Sequence, residues 1–597
     1  MAGASDSALD RYNRRLLWVA GLGGLLYGVD VGIIGSALPY LQATSGLNAD
    51  QLSMVVAAVL LGMTLSTLFA GWLADRIGRR ALMIVAAVLF VLSIPIIALA
   101  HGYAPLVSGR LLEGISAGLV GVAIPLYLAE TLPAEIRGRG TAAFQWLLTL
   151  GIVLAAVVGM YYSLRVAEVA SLGDAQRLLA FKDTAWRRIF WVSLPPGLVF
   201  LAGCFWLSES PRWLYLRGRE ADAAAALRRS RPPAAADAEL AAMAAAALTE
   251  RDAKRHGRRE TLWQRKYVLP FALACVVLVL NQTTGINSII QYNADILIQS
   301  GLSDLQAHWG YILFTLVNFL ATIVGMVLVD RRGRKFLLSL GTAGAVLGLV
   351  GAGLLFWHNE QRAIPVTAAV AAMVTPEQSL TLPFTPQVER QLLAASGSRA
   401  PAGPATLSVI YSYGGYQLAT PVVRSDETAA KPITITRAAS LPNNRVLAFT
   451  ANPTASLAAA RQAPLKIVKA QLTPLPSPGY GWVVALTLFF FMASFAVGPG
   501  IVVWLALSEL MPTRIRSHGM SITLVLNEAA STLIAALFLP AVGKYGYATL
   551  FFLFAGCTIL YFLVAVFWLP ETRGKTLEEI EAAFRTPAAS RSLSAKS

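Results

Sequence analysis

The sequence predicts an all-α membrane protein: twelve transmembrane helices in two six-helix halves, with short helices on the cytoplasmic side and a β-rich insert on the other. Three observations carry that prediction. Asp75-Arg76-Ile77-Gly78-Arg79-Arg80 returns as Asp330-Arg331-Arg332-Gly333-Arg334-Lys335, each copy between two long apolar runs. Glu130-x-x-Pro133-x-x-x-Arg137 returns in the same order as Glu509-x-x-Pro512-x-x-x-Arg516, so the chain is a duplicated unit. Its 597 residues are 56% hydrophobic and only 14% charged, with a mean hydropathy of +0.59. A soluble chain of this size would not be so apolar.

Apolar runs of about 20 residues, enough to span a bilayer, lie near 16–40, 53–74, 81–100, 105–129, 140–162 and 187–207. A second set lies near 268–298, 308–329, 336–357, 481–508, 518–541 and 547–569. The first half is thus 1–211. The second is divided, with 267–357 and 479–584 on either side of an insertion. Basic residues crowd the loops at 75–80, 137–139, 330–335 and 514–518, which places those loops in the cytoplasm. Both termini then fall on that side. The loop at 163–186 faces outward. Arg11, Arg14 and Arg15 precede the first run without a convincing cleavage site, so that run reads as a first span and not as a removed signal.

Between the halves, 212–266 alternates Ala-rich stretches with Arg and Glu, the pattern of short amphipathic helices under the membrane. Segment 358–478 turns to Pro, Thr, Ala and Ser. Its β-type runs Leu407–Tyr411, Ile433–Thr436 and Val446–Phe449 are separated by turn residues such as Pro442-Asn443-Asn444, which favours a small β-rich domain over a loose loop. The Ser- and Ala-rich tail 585–597 reads as disordered.

The net charge is +16, from 49 Lys and Arg against 33 Asp and Glu. The basic residues mark topology and not a nucleic-acid face, so the lipid bilayer is the expected surrounding and no nucleic-acid partner is expected. Cys204, Cys275 and Cys557 lie in apolar runs without metal spacing, and the five histidines share none either. No metal or cofactor is expected. No nucleophile triad or phosphate loop appears, so the chain does not read as an enzyme. A repeated helical unit around a midplane site is instead the plan of secondary transporters.

Six ordered motifs sharpen this: Gly23-Gly24-Leu25-Leu26-Tyr27-Gly28-Val29-Asp30, Asp75-Arg76-x-Gly78-Arg79-Arg80, Glu209-Ser210-Pro211-Arg212-Trp213-Leu214, Gln282-x-x-Gly285-Ile286-Asn287, Gly498-Pro499-Gly500 with Trp504, and Pro570-Glu571-Thr572-Arg573-Gly574-Lys575. On these the chain resembles the sugar porter family of the major facilitator superfamily, over nearly all its length except 358–478 and the tail. Its motif pattern is closest to the bacterial proton-coupled sugar symporters, such as the xylose–proton symporter. The resemblance implies alternating access by rocking one half against the other.

Asp75, Arg76, Arg79, Glu130 and Arg137 at helix ends of the first half match Asp330, Arg331, Arg334, Glu509 and Arg516 in the second. Forked carboxylate–guanidinium pairs among them would latch the cytoplasmic side in one state and break in the other. Glu209, Arg212 and Glu571 of the flanking motifs join that gating set. The alternative is charge that only sets topology.

Polar residues within spans are functional candidates because lipid makes them costly. They are Gln145, Asn281, Gln282, Asn287, Gln291, Asn318 and Asn527. Amides offer both donors and an acceptor to hydroxyls. Gln282 and Asn287 are five positions apart and reach one ligand only if the helix unwinds at Gly285. The resemblance implies substrate contact for Gln145, Gln282 and Asn287. It adds Trp504 as an apolar platform beside Gly500. Asn281 and Gln291 are equally well read as helix–helix glue.

Asp30 is a carboxylate inside the first span, and the resemblance gives it Arg110 as partner: a proton taken up by Asp30 would release Arg110 and allow turnover. A static ion pair is the alternative. Three departures from the family pattern stand out. Glu113, three residues after Arg110, can compete for its guanidinium. Gln291 replaces an aromatic before Tyr292. Glu528 replaces an aromatic beside Asn527 and is a candidate second proton site. The expected activity is symport of a pentose or hexose with a proton, by a monomer in the cell inner membrane. The alternatives are a proton-independent sugar or polyol (inositol) facilitator, or a transporter-like nutrient sensor whose insert binds an unknown partner.

Overall fold

The computed structural model describes residues 2–255, 265–398, 403–427, 431–441, 452, 455–511, 516–573 and 584. Among them, eleven helices are long and apolar enough to cross a membrane. The first half supplies spans 1 to 6: Leu9–Ser45, Ala49–Ile77, Arg79–Ala98, Tyr103–Thr131, Phe144–Ala170 and Ala175–Trp206. The second begins with spans 7 to 10: Tyr267–Gln291, Asp304–Val329, Arg334–Glu360 and Pro478–Trp504. The last helix, Gly519–Phe567, is broken at Gly546 (φ +83°) and serves as spans 11 and 12. The structure is therefore the twelve-helix, two-half bundle.

The turn in each Asp-Arg-x-Gly-Arg copy has one physical cause. Gly78 (φ +99°) and Gly333 (φ +91°) adopt left-handed backbone that a side chain would strain. Each packs against a carboxylate, Glu209 and Glu571, where a Cβ would sit. Elsewhere glycines let helices touch. Gly24 and Gly28 of span 1 lie against the carbonyls of Phe144 and Leu148 in span 5, and Gly114 of span 4 against Val59 of span 2.

The segment read as an outward loop, 163–186, is mostly helix. Span 5 runs on to Ala170, and a new helix begins at Ala175, capped by the Asp174 side chain. That helix is amphipathic, burying Leu178, Ala185, Trp186, Ile189 and Phe190, so it leaves no long apolar run to read. Between the halves, Pro211–Leu216, Glu220–Ser230 and Pro233–Arg255 are helical. Arg217 donates to the carbonyls of Asp75 and Arg76, and Arg231 to that of Thr131, docking these helices on the first half.

After span 9 the chain forms seven strands: β1 (Ile364–Pro365), β2 (Leu380–Leu382), β3 (Ala405–Tyr413), β4 (Tyr416–Ala419), β5 (Val423–Arg424), β6 (Ile433–Ile435) and β7 (Leu465–Pro474). Sheet order is β1-β7-β3-β4, with β5 also on β3; β2 and β6 pair separately, and every pairing is antiparallel. β3 is buried along nearly its whole length, as its unbroken apolar and aromatic run requires of a central strand. Leu407, Val409, Tyr411 and Tyr413 of β3 share a core with Ile467, Ala470 and Leu472 of β7. The run Val446–Phe449, the turn at 442–444 and the tail 585–597 lie outside the described residues.

Candidate substrate and coupling site

Span 7 does break at Gly285 (φ +79°), between helices ending at Thr283 and starting at Ile286. The break turns Asn287 back onto Gln282, to whose Oε1 its amide donates at 3.0 Å. Gln282 in turn donates to Asn527 Oδ1 at 3.1 Å, and Asn527 to Glu528 Oε1 at 3.2 Å. Asn287 also donates to Ser531 Oγ at 2.7 Å. One chain of polar groups thus joins spans 7 and 11 through the middle of the second half. Such a chain presents alternating donors and acceptors, the chemistry that hydroxyls need. Ser531 had been missed, although it lies one helical turn after Asn527 on the same face.

The other amides stand apart. Asn281 and Gln291 are buried, and each keeps a side-chain oxygen without a hydrogen bond. Asn318 is buried on span 8, where its carbonyl accepts from Thr322. Gln145 is half-buried on span 5. Trp504 is 43% exposed, and Gly500 packs near Phe495. Neither enters the hydrogen-bonded chain.

The first half holds charge at its centre. Arg110 and Glu113, 1% and 0% exposed, form an ion pair of 2.5 Å. The guanidinium also lies over the Phe190 ring, 5.5 Å from its centroid. Asp30 neighbours both Glu113 and Arg110, and its two carboxyl oxygens accept no hydrogen bond. Arg110 therefore pairs with Glu113 and not with Asp30, which corrects the Asp30–Arg110 pairing. The cause is local: Glu113 is one turn along the same helix, already in reach of the guanidinium. Tyr27, one turn before Asp30, donates to Met63 Sδ at 3.8 Å and lies in the field of both Asp30 and Glu528.

The terminal charges form two copies of one network. In the first half Arg79 pairs with Asp75 at 2.9 Å and with Glu130 at 2.8 Å, Ser210 donates to Glu130 at 2.5 Å, and Glu209 accepts the Arg79 and Arg80 amides at 2.8 and 3.0 Å. In the second, Arg334 pairs with Glu509 at 3.0 Å, Thr572 donates to Glu509 at 2.6 Å, and Glu571 accepts the Arg334 and Lys335 amides at 3.0 and 3.1 Å. Among the described residues, these contacts lie within each half. Arg76 stacks on Trp72, the Arg331 carbonyl accepts from Arg573, and Arg212 is exposed. The side chains of Arg137, Asp330 and Arg516 lie outside the described residues.

At the opposite end the halves are joined. Asp304 of span 8 accepts from Tyr40 at 2.9 Å and Ser163 at 2.5 Å, and Tyr311 donates to the Gly32 carbonyl at 2.9 Å. The insert adds to this closure. Gln42 of the first half and Gln299 of the second both donate to the Val422 carbonyl, at 3.4 and 3.1 Å. Lys182 pairs with Glu427 at 3.0 Å, and Arg424 donates to the carbonyls of Ile298 and Leu302 at 3.2 and 2.8 Å. Beneath the insert lies a cavity of about 420 Å³ whose lining includes Tyr40, Gln42, Lys182, Asp295, Gln299 and Asp304. Asp295 and Asp304 were not read as candidates from the sequence. Among the described residues, no cluster of His, Cys, Asp and Glu is arranged to hold a metal.

The family model for sugar (and other) transporters matches residues 16–375 and 457–584. The human proton myo-inositol cotransporter is 27% identical over 571 residues, 94% of this chain and 80% of its own. The Staphylococcus epidermidis glucose transporter GlcP is 26% identical over 578 residues, 96% of this chain and 98% of its own. The Escherichia coli galactose-proton symporter is 25% identical over 582 residues, 97% of this chain and 95% of its own. The inward open conformation of the E. coli xylose transporter XylE superimposes with a TM-score of 0.62 at 21% identity, over 95% of this chain and 98% of that one. That likeness shows the fold. On the family match the chain belongs to the sugar porters of the major facilitator superfamily, and is a multi-pass membrane transporter and not an enzyme.

Proposed function

We propose that this protein carries a monosaccharide across the cell inner membrane together with a proton. The observation that carries the reading is a juxtaposition. A sealed carboxyl–guanidinium cluster (Asp30, Glu113, Arg110) sits in one half, and an amide chain suited to hydroxyls (Gln282, Asn287, Asn527) in the other. Charge with no solvent to screen it is the natural handle for a proton. The amides, together with Gln145, Asn318 and Trp504, are the sugar's contacts. Glu528 accepts from the amide chain through Asn527, which supports a second protonation site there.

The positive-inside rule puts the Arg-rich turns and both termini in the cytoplasm. The insert then closes the outer mouth. Because both ends of the insert join the second half, outward opening must part its bonds to the first: Gln42 to Val422, Lys182 to Glu427 and the Lys431 amide to the Ala43 carbonyl. The charge networks brace each half as a rigid body during that motion. The carrier acts as a monomer.

A polyol is the second reading of the same site, favoured by the relatives named as inositol carriers. One experiment addresses both. Uptake of labelled xylose, glucose, galactose and myo-inositol into proteoliposomes is measured with and without an inward proton gradient. Accumulation of one of them above equilibrium, driven by the gradient, is the expected result. Equilibration that ignores the gradient would make the protein a facilitator.

A further inference from the structure

The central cluster of the first half holds more acid than its one base can balance. Glu113 Oε2 is bonded to Arg110, but Glu113 Oε1 and both oxygens of Asp30 accept no hydrogen bond. All three residues are at most 1% exposed. Two carboxylates and one guanidinium would leave a net negative charge in the bilayer interior, with three acceptor atoms unmet. Burial of that kind is not sustained; the group takes up a proton instead.

We infer that Asp30 and Glu113 share one proton, with Glu113 as the resting counter-ion of Arg110 and Asp30 as the proton carrier. This rests on the symport reading and deepens it. A proton on Asp30 makes its hydroxyl a donor for the neighbouring Glu113, whose Oε1 lacks a partner. The cluster is then neutral and both carboxyls gain a partner. When the Asp30 O–H bond breaks and the proton leaves to water, two carboxylates compete for one guanidinium. Arg110 has a free Nε donor with which to answer the second. That competition, and not the breaking of a single ion pair, is the event that couples the proton to movement of span 1 against span 4. The titratable groups around the pair are Arg110 on its own helix and, across the interface, Asp30 and Tyr27 of span 1, with Glu528 of span 11 beyond Tyr27. Span 6 presents Phe190, which does not titrate.

The role of Glu113 is one of positioning, and it predicts a displacement, not a simple loss. In Glu113→Gln, Arg110 turns to Asp30, which then keeps its charge. Gradient-driven accumulation of whichever of the four sugars the wild type concentrates should move to more acid pH by about one unit or more. Glu113→Asp should return the profile toward wild type. A Glu113→Gln profile that is lowered but not displaced would overturn the proposal. A second readout is independent of transport. Difference infrared spectra of the purified protein at neutral pH should show a carboxylic acid C=O band that Asp30→Asn removes and Glu113→Gln shifts. If Asp30→Asn leaves that band region unchanged, no proton resides on the pair and the proposal fails. If the band behaves as stated but wild-type uptake ignores the gradient, the shared proton stands and the symport reading falls.

Discussion

The two halves share a scaffold and differ at its centre. At the helix ends the same network is built twice, with Arg79, Glu130 and Glu209 on one side and Arg334, Glu509 and Glu571 on the other. At mid-depth the first half holds an ion pair and a facing acid, and the second a string of amides. Duplication preserved what fixes each helix turn, and the two midplane faces diverged. On the proposed function, the central proton cluster and most of the sugar's contacts, Gln145 apart, then reside on opposite rigid bodies. A carrier that rocks those bodies against each other can tie the two ligands together without placing them in contact.

The sharpest way to break this division is Asp30→Asn. The expected outcome is the largest of all: loss of gradient-driven accumulation in proteoliposomes down to equilibration, with sugar exchange reduced much less. If exchange fell as far as accumulation, Asp30 itself would serve sugar binding and the division would fail. The reciprocal test is Gln282→Ala. It removes both ends of the amide chain's central link and leaves the half-buried Asn287 and the buried Asn527 without that partner. Each such loss costs about 1–3 kcal/mol, so sugar should bind roughly 5- to 150-fold more weakly. Direct binding of the transported sugar, measured by calorimetry at two pH values, should show this weakening equally at both. A pH-dependent loss would place part of the proton chemistry in the second half, with Glu528 the first suspect.

How much of this was legible in the sequence follows from what each contact is made of. The break at Gly285 was readable because Gln282 and Asn287 cannot otherwise share a ligand. The strands around Leu407–Tyr411 and Ile433–Ile435 were readable from their β-branched and aromatic residues. The terminal charges were readable as a repeated set, yet not as contacts within each half, since spacing along a chain does not say which helix ends are neighbours. Apart from the Lys182–Glu427 pair, docking of the insert rests on contacts that leave no trace. Gln42, Gln299, Arg424 and Asn48 donate to the backbone carbonyls of Val422, Ile298, Leu302 and Ala439. Every residue has a carbonyl, so such contacts carry no sequence signal.

The duplicated networks give a third, smaller comparison. The Arg79–Glu130 pair is 6% and 7% exposed, against 14% and 21% for Arg334–Glu509. Stranding one member of a fully buried pair costs about 3–5 kcal/mol, and water reduces that cost where it reaches the pair. Arg79→Ala should therefore lower the melting temperature of the detergent-solubilised protein more than Arg334→Ala. Equal shifts would mean that the two copies bear the same load and that their difference in burial has no energetic consequence.

The smallest effect expected concerns the insert, which is held to the second half partly by Arg424. That side chain reaches the Ile298 and Leu302 carbonyls while it is bound to Asp426 at 2.8 Å. Burial alone would raise the Asp426 carboxyl, but the Arg424 hydrogen bond and charge outweigh it and hold it below the ordinary carboxylate range. A carboxyl lowered in the folded state contributes stability above its unfolded value, near 3.9, and loses it as pH falls further. Docking of the insert through this pair is thus constant across neutral pH and loosens only below roughly pH 4. With Asp426 38% exposed, the contribution is under about 1 kcal/mol. Hydrogen exchange at the Val423 and Arg424 amides should quicken on acidification more in the wild type than in Asp426→Asn, after correction for intrinsic rates. Loosening already at pH 6 would point elsewhere: to the bonds joining the insert to the first half, the ones that outward opening has to part.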